Sequence, residues 1–125
     1  MAAGVAETLM AALGQEVGIP ELALDETGCC ALAFDGTVVN FELDASSGQL
    51  FLYANVGEIA AIAGTDLYRQ LLDANLFWKD TAGAKLALDR SADRIVLAQA
   101  VPVDRVGEAD FKAAVRFLYK SAQNG

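Results

Sequence analysis

No histidine occurs among the 125 residues, so the commonest general base and the commonest metal ligand are both missing. The nucleophiles that remain are poorly placed. Ser46, Ser47, Ser91 and Ser121 fall in turns or near a terminus by pattern, with no base in a recognisable arrangement around them. Cys29 and Cys30 are adjacent, and neighbouring side chains on a strand point to opposite faces, which makes a poor disulfide and a poor metal pair. They read as two reduced thiols of a cytosolic protein. Carboxylate pairs such as Asp25 with Glu26, or Glu108 with Asp110, suit loops and helix starts, and the stretch from Asp89 to Asp93 lacks the spacing of a calcium loop. Gly57, Gly64 and Gly83 belong to no phosphate-cradling pattern. The expectation is no enzyme: no catalytic residue, no metal, no cofactor and no small-molecule substrate.

What the chain offers instead is apolar surface. Hydrophobic residues make up 54% of it, above the roughly 45–50% usual in soluble domains, yet no stretch approaches the roughly 20 apolar residues that cross a bilayer. The surplus must enter a core, a subunit interface or a ligand groove, and no membrane role is expected. The Met1-Ala2-Ala3-Gly4 start carries no Lys or Arg and so lacks the basic region of a secretory signal. Charge is divided unevenly. Residues 1–68 hold ten acidic residues and no basic one; residues 69–125 hold nine basic and seven acidic, so the halves carry −10 and +2 of the net −8. Such a chain repels phosphate backbones, which argues against nucleic-acid binding. Its acidic half either solvates one face or helps recruit a partner segment bearing basic residues.

The elements that must position these groups are short and clearly punctuated. Val5, Leu9, Ala12 or Leu13, and Glu16 or Val17 recur at helical spacing from about Gly4 to Val17, and Gly18 before Ile19-Pro20 is a stop signal. Cys29 to Phe34 and Thr37 to Asp44 flank Asp35-Gly36, a dipeptide suited to a two-residue hairpin. That turn pairs Phe34 with Thr37, Leu32 with Val39 and Cys30 with Phe41. A third strand, Gln49 to Val56, follows the loop at 45–48 and pairs Leu43 with Leu50, Phe41 with Leu52 and Val39 with Ala54. One face then stays apolar across three strands, which a one-residue slip would destroy. The other face is half polar, with Asn40 and Glu42 beside Val38, Phe51 and Tyr53.

A second helix is expected over about Thr65 to Phe77, with Thr65 as N-cap and a stripe of Leu67, Leu71, Leu72 and Leu76. A second hairpin, Ala84 to Asp89 and Arg94 to Val101, pairs Asp89 with Arg94, Leu88 with Ile95 and Leu86 with Leu97. A last helix, about Gly107 to Ala122, buries Phe111, Ala114 or Val115, and Leu118, and presents Lys112, Arg116 and Lys120 outward. The order is α-β-β-β-α-β-β-α, a single α+β domain over residues 1–125 on a twisted antiparallel sheet.

The run Leu71-Leu72-Asp73-Ala74-Asn75-Leu76-Phe77-Trp78, then Lys79 to Gly83 and Ala84-Lys85-Leu86-Ala87-Leu88-Asp89, resembles the signature of the class I type III secretion chaperones, the Tir chaperone or CesT-like family. Its marks are a Leu-Leu-x-x-Asn-Leu helix end, a glycine-containing loop and a Leu-x-Leu-Asp strand. Phe77-Trp78-Lys79-Asp80 is bulkier and more charged than the small or glycine-rich sequence common there. Ile95 to Pro102 and the helix near Phe111 also resemble the family's closing strand and helix.

The resemblance implies a cytoplasmic, bacterial homodimer that binds the N-terminal region of a secreted effector. It would hold that region extended and secretion-competent without nucleotide. It nominates Leu71, Leu72, Leu76, Phe77, Trp78, Leu86 and Leu88 for the dimer interface, the two aromatics because leaving them in water is costly. For effector binding it nominates Val5, Leu9 and Leu13 on the first helix and Val38, Phe51 and Tyr53 on the half-polar sheet face. Core packing of the helix trio, and cover of the sheet trio by a neighbouring helix, are the plain alternatives. A regulatory or sensory protein using the same fold to bind a protein partner is the alternative function.

Overall fold

In the computed structural model, residues 2–34, 36–58, 66–76, 84–89 and 91–124 are described. Helix α1 (Ala2–Val17) leads into strands β1 (Cys29–Phe34), β2 (Thr37–Asp44) and β3 (Gln49–Glu58). Helix α2 (Leu67–Asn75), strands β4 (Lys85–Asp89) and β5 (Arg94–Pro102) and helix α3 (Glu108–Asn124) complete the order. The five strands form one antiparallel sheet in the order β1-β2-β3-β5-β4.

The pairing follows from the alternation of side chains. Phe34 opposes Thr37, Leu32 opposes Val39 and Cys30 opposes Phe41; Leu43 opposes Leu50, Phe41 opposes Leu52 and Val39 opposes Ala54. Asp89 opposes Arg94, Leu88 opposes Ile95 and Leu86 opposes Leu97. These are the registers that the turn spacing predicts. The link between the two hairpins is β3 against β5, with Leu50 opposite Val101, Leu52 opposite Gln99 and Ala54 opposite Leu97. A register shift between Asn55 and Gly57 bends the end of β3, and the Asn55 side chain accepts the Gly57 N–H at 3.1 Å.

The apolar face built in this way carries the core. Val39, Phe41, Leu50, Leu52 and Ala54 from the sheet are buried together with Met10 and Leu13 of α1 and Phe111, Val115 and Leu118 of α3. Phe41 and Phe111 meet with ring centroids 6.1 Å apart. The period-2 pattern of the strands and the near-4 spacing of the helices therefore point into one space.

Helix ends show where local chemistry sets the boundaries. Gly18 adopts φ 81°, and the Ile19 N–H donates to the Gly14 carbonyl at 2.7 Å, the six-to-one bond of a Schellman cap. That closure also explains Gly14. A side chain at this position would collide with the Ile19 carbonyl and with Leu22. At α2 the boundary differs from expectation: Asp66 takes the N-cap position without a side-chain cap bond, and the helix runs Leu67–Asn75, while Thr65 and Phe77 lie outside the described residues. Lys112 differs too. Its side chain is only 17% exposed because Glu108 at 3.0 Å and Glu16 at 3.5 Å draw it between α3 and α1.

Candidate protein-binding surfaces

Among the described residues, three apolar surfaces remain after the core is filled. The first joins α2 to the edge strand β4. Leu67 is buried and Leu71 half-buried, but Leu72 is 71% exposed, Leu76 58% and Leu88 36%, with Tyr68 beside them at 54%. Residues four apart on a helix are neighbours, so Leu72 and Leu76 form one ridge. The Asn75 side chain fixes this ridge to β4: its Oδ1 accepts the Leu86 N–H at 2.8 Å and its Nδ2 donates to the Leu86 carbonyl at 3.2 Å. Of the residues nominated for self-association, Leu71 and Leu86 are half-buried and Leu72, Leu76 and Leu88 are exposed on this surface. Phe77 and Trp78 lie outside the described residues.

The second surface is the sheet face opposite the core. Val38 and Phe51 are each 40% exposed and Tyr53 is half-buried; no described helix covers them. Register places Phe51 between Glu42 and Ala100, and Tyr53 between Asn40 and Ala98. Burial, together with the carboxylate of Glu42, pushes the Tyr53 phenol up from its ordinary pKa.

The third surface lies between α1, β1 and α3, an open groove of about 330 Å³. Buried Leu13, Leu32 and Val115 form its base, and half-buried Val17 and Tyr119 and exposed Phe34 its sides. Phe34 and Tyr119 meet edge to face with centroids 5.8 Å apart, and the Tyr119 hydroxyl donates to the Phe34 carbonyl at 3.0 Å. Glu16, Arg116 and Lys120 complete the lining. Of the helix residues nominated for effector binding, Val5 is 40% exposed, Leu9 is buried in the core, and Leu13 is buried at the base of this groove.

Sequence reasoning misses Phe34, Tyr119 and the groove they close. The only signal for it is apolar: Phe34 at a hairpin tip and Tyr119 one turn beyond Val115. Nothing local in the sequence brings residues so far apart in the chain together. Asn75 belongs to the Leu-Leu-x-x-Asn-Leu helix end, but its bonds to β4 do not follow from that motif.

Among the described residues, no group of three or more His, Cys, Asp or Glu residues could hold a metal ion. Cys29 and Cys30 are free and half-buried, and burial raises the Cys30 thiol pKa, making it less reactive. Asp25, Asp44 and Asp89 are drawn below the ordinary carboxylate range chiefly by the hydroxyls of Thr27, Ser46 and Ser91. Each is thereby committed to a turn. No described helix is long and apolar enough to cross a membrane.

Among the described residues, an antiparallel α+β fold leaves apolar ridges and a groove uncovered. Residues 8–124 match the model of the Tir chaperone protein (CesT) family, and the chain belongs to that family. The Tir chaperone of Escherichia coli O157:H7 is 22% identical over 118 residues, covering 94% of this chain and 75% of the relative. The transcriptional anti-antiactivator ExsC of Pseudomonas aeruginosa is 38% identical over 71 residues, covering 56% of this chain and 48% of the relative. Among solved structures, the ExsC–ExsE complex matches with a TM-score of 0.83 at 26% identity, covering 98% of this chain and 91% of that one. The HopA1–SchA chaperone–effector complex matches with a TM-score of 0.78 at 19% identity, covering 96% and 91%, and shares the fold.

Proposed function

We propose that this protein is a cytoplasmic type III secretion chaperone that works as a homodimer and binds the N-terminal region of a secreted effector. Binding would keep that region extended and secretion-competent, with no nucleotide. The observation that carries this reading is the division of exposed apolar surface. Leu72, Leu76 and Leu88 form one patch at α2 and β4, while Val38 and Phe51 lie on the open sheet face and Phe34 at the groove. One patch suits a second copy of the chain, and the others suit an extended polypeptide, whose alternate side chains enter pockets. A chaperone role also needs no reacting group, in keeping with a chain that has no histidine.

The likeness to ExsC, named as a transcriptional anti-antiactivator, favours a second reading, in which the partner is a regulatory protein. The two separate in one experiment. Affinity capture from the native host, with and without an active secretion apparatus, should recover a protein that is later found secreted. Recovery of a protein that stays in the cell and controls transcription would favour the regulatory reading. Recovery of no specific partner would count against both.

A further inference from the structure

The groove between α1, β1 and α3 differs in charge from the rest of the molecule. The chain carries −8 overall, yet the groove lining holds one carboxylate, Glu16, against two cations, Arg116 and Lys120. Glu16 is divided between two claims, with Lys112 at 3.5 Å and Arg116 at 3.3 Å, so it neutralises neither fully. Arg116 keeps 58% of its side chain exposed, and Lys120 is exposed with no ion pair among the described residues. Both lie on one face of α3, four residues apart. Below them the base is apolar, formed by Leu13, Leu32 and Val115.

We propose that this groove docks an acidic–apolar segment of the cargo. One bulky apolar side chain enters over Leu13, Leu32 and Val115, and an Asp or Glu within a turn of it pairs with Arg116 and Lys120. The proposal rests on the chaperone reading and adds a specificity rule to it. Long-range attraction by an acidic chain favours basic cargo segments, and the groove selects the opposite charge at short range. The two rules operate at different distances. At about 0.15 M salt, exposed charges farther apart than about 8 Å are largely screened, while a carboxylate held against a guanidinium keeps its charge-assisted bonds.

The test uses the full chain and two short synthetic peptides, both alternating Leu and Ser, one flanked by Asp and Glu and the other by Lys. At about 0.15 M salt, titration followed by amide resonances should shift Leu32, Phe34 and Val115. The acidic peptide should bind at least about ten-fold tighter, the equivalent of one charge-assisted contact. Arg116→Gln combined with Lys120→Gln should bring the two peptides within about two-fold of each other, and Glu16→Gln should tighten the acidic peptide further. Equal or preferential binding of the basic peptide would overturn the proposal. So would a preference that survives the double substitution, or shifts confined to Val38 and Phe51. If captured native cargo binds the double variant with unchanged affinity, the chaperone reading stands and the groove rule fails. If the peptide selection holds while no native cargo is captured, the reverse is true.

Discussion

Asn75 grips Leu86 with both ends of its amide, accepting the Leu86 N–H at 2.8 Å and donating to the Leu86 carbonyl at 3.2 Å. Because β4 is an edge strand, these are groups that would otherwise be offered to a further strand. The side chain thus plays the part of a missing strand for one residue and anchors α2 at the same time. Asn75→Ala should destabilise the fold by about 1–3 kcal/mol, the worth of two partly buried bonds. Denaturant midpoints would measure the loss, and the Leu86 amide should exchange with solvent much faster. An unchanged Leu86 exchange rate would show that α2 does not depend on this contact.

The ridge that Asn75 holds in place is the best target for breaking self-association. Leu72 is 71% exposed, so a charge there costs the monomer little. Leu72→Asp should leave the thermal midpoint within a degree or two of the parent. It should weaken the dimer by about thirty-fold or more if Leu72 is an interface anchor worth about 2 kcal/mol. Sedimentation at micromolar concentration would read this directly. A parent that sediments as a monomer would remove the dimer from the proposed function.

These features differ in how far the sequence announces them. Strand pairing is legible because Asp35-Gly36 and the loop at 45–48 fix register, and a one-residue slip would take Val39, Phe41, Leu50 and Leu52 off their common face. The pairing of β3 with β5 is hidden, because no short turn connects the two strands. Burial of Phe111 and Leu118 is legible, since their spacing repeats with the helix. Lys112 looks like a solvated residue because periodicity cannot reveal that Glu16, on another helix, will cover it. Surfaces made by one element can be read from spacing; those made by three, such as the groove at Phe34 and Tyr119, depend on tertiary placement that spacing does not encode.

Gly14 offers a test in which propensity and packing disagree. Inside a helix, Ala is ordinarily favoured over Gly by about 1 kcal/mol. Here an added Cβ would run into the Ile19 carbonyl and lie 2.9 Å from the Leu22 Cβ, so the cap at Gly18 and Ile19 would have to open. Gly14→Ala should therefore destabilise, by about 1–3 kcal/mol as in other overpacked sites. Chemical denaturation would decide it, and a stabilised variant would mean that the Schellman closure gives way easily.

Stability should fall at both ends of the pH scale, for opposite reasons. Asp25 accepts the Thr27 hydroxyl at 2.6 Å and Asp44 the Ser46 hydroxyl at 2.7 Å, and both carboxyls are lowered in the folded state. A lowered folded pKa stabilises fully above the unfolded value, about 3.9 for Asp, and is lost as pH falls through the folded value. The thermal midpoint should therefore decline below about pH 4, and Ser46→Ala with Ser47→Ala should flatten that decline by releasing Asp44. Lys112 has the reverse sign: the bond to Glu108, followed by the charge of Glu108 and then of Glu16, raises its pKa. Its contribution is complete below the unfolded lysine value, about 10.4, and disappears as pH rises through the folded one. Lys112→Met, which keeps the aliphatic stem, should reduce the alkaline part of the profile, leaving the share that comes from the raised Cys30 thiol and Tyr53 phenol, and should leave the acid limb intact. An acid limb that vanished with Lys112 would place the pH sensitivity in the α1–α3 ion pairs instead of the turn aspartates.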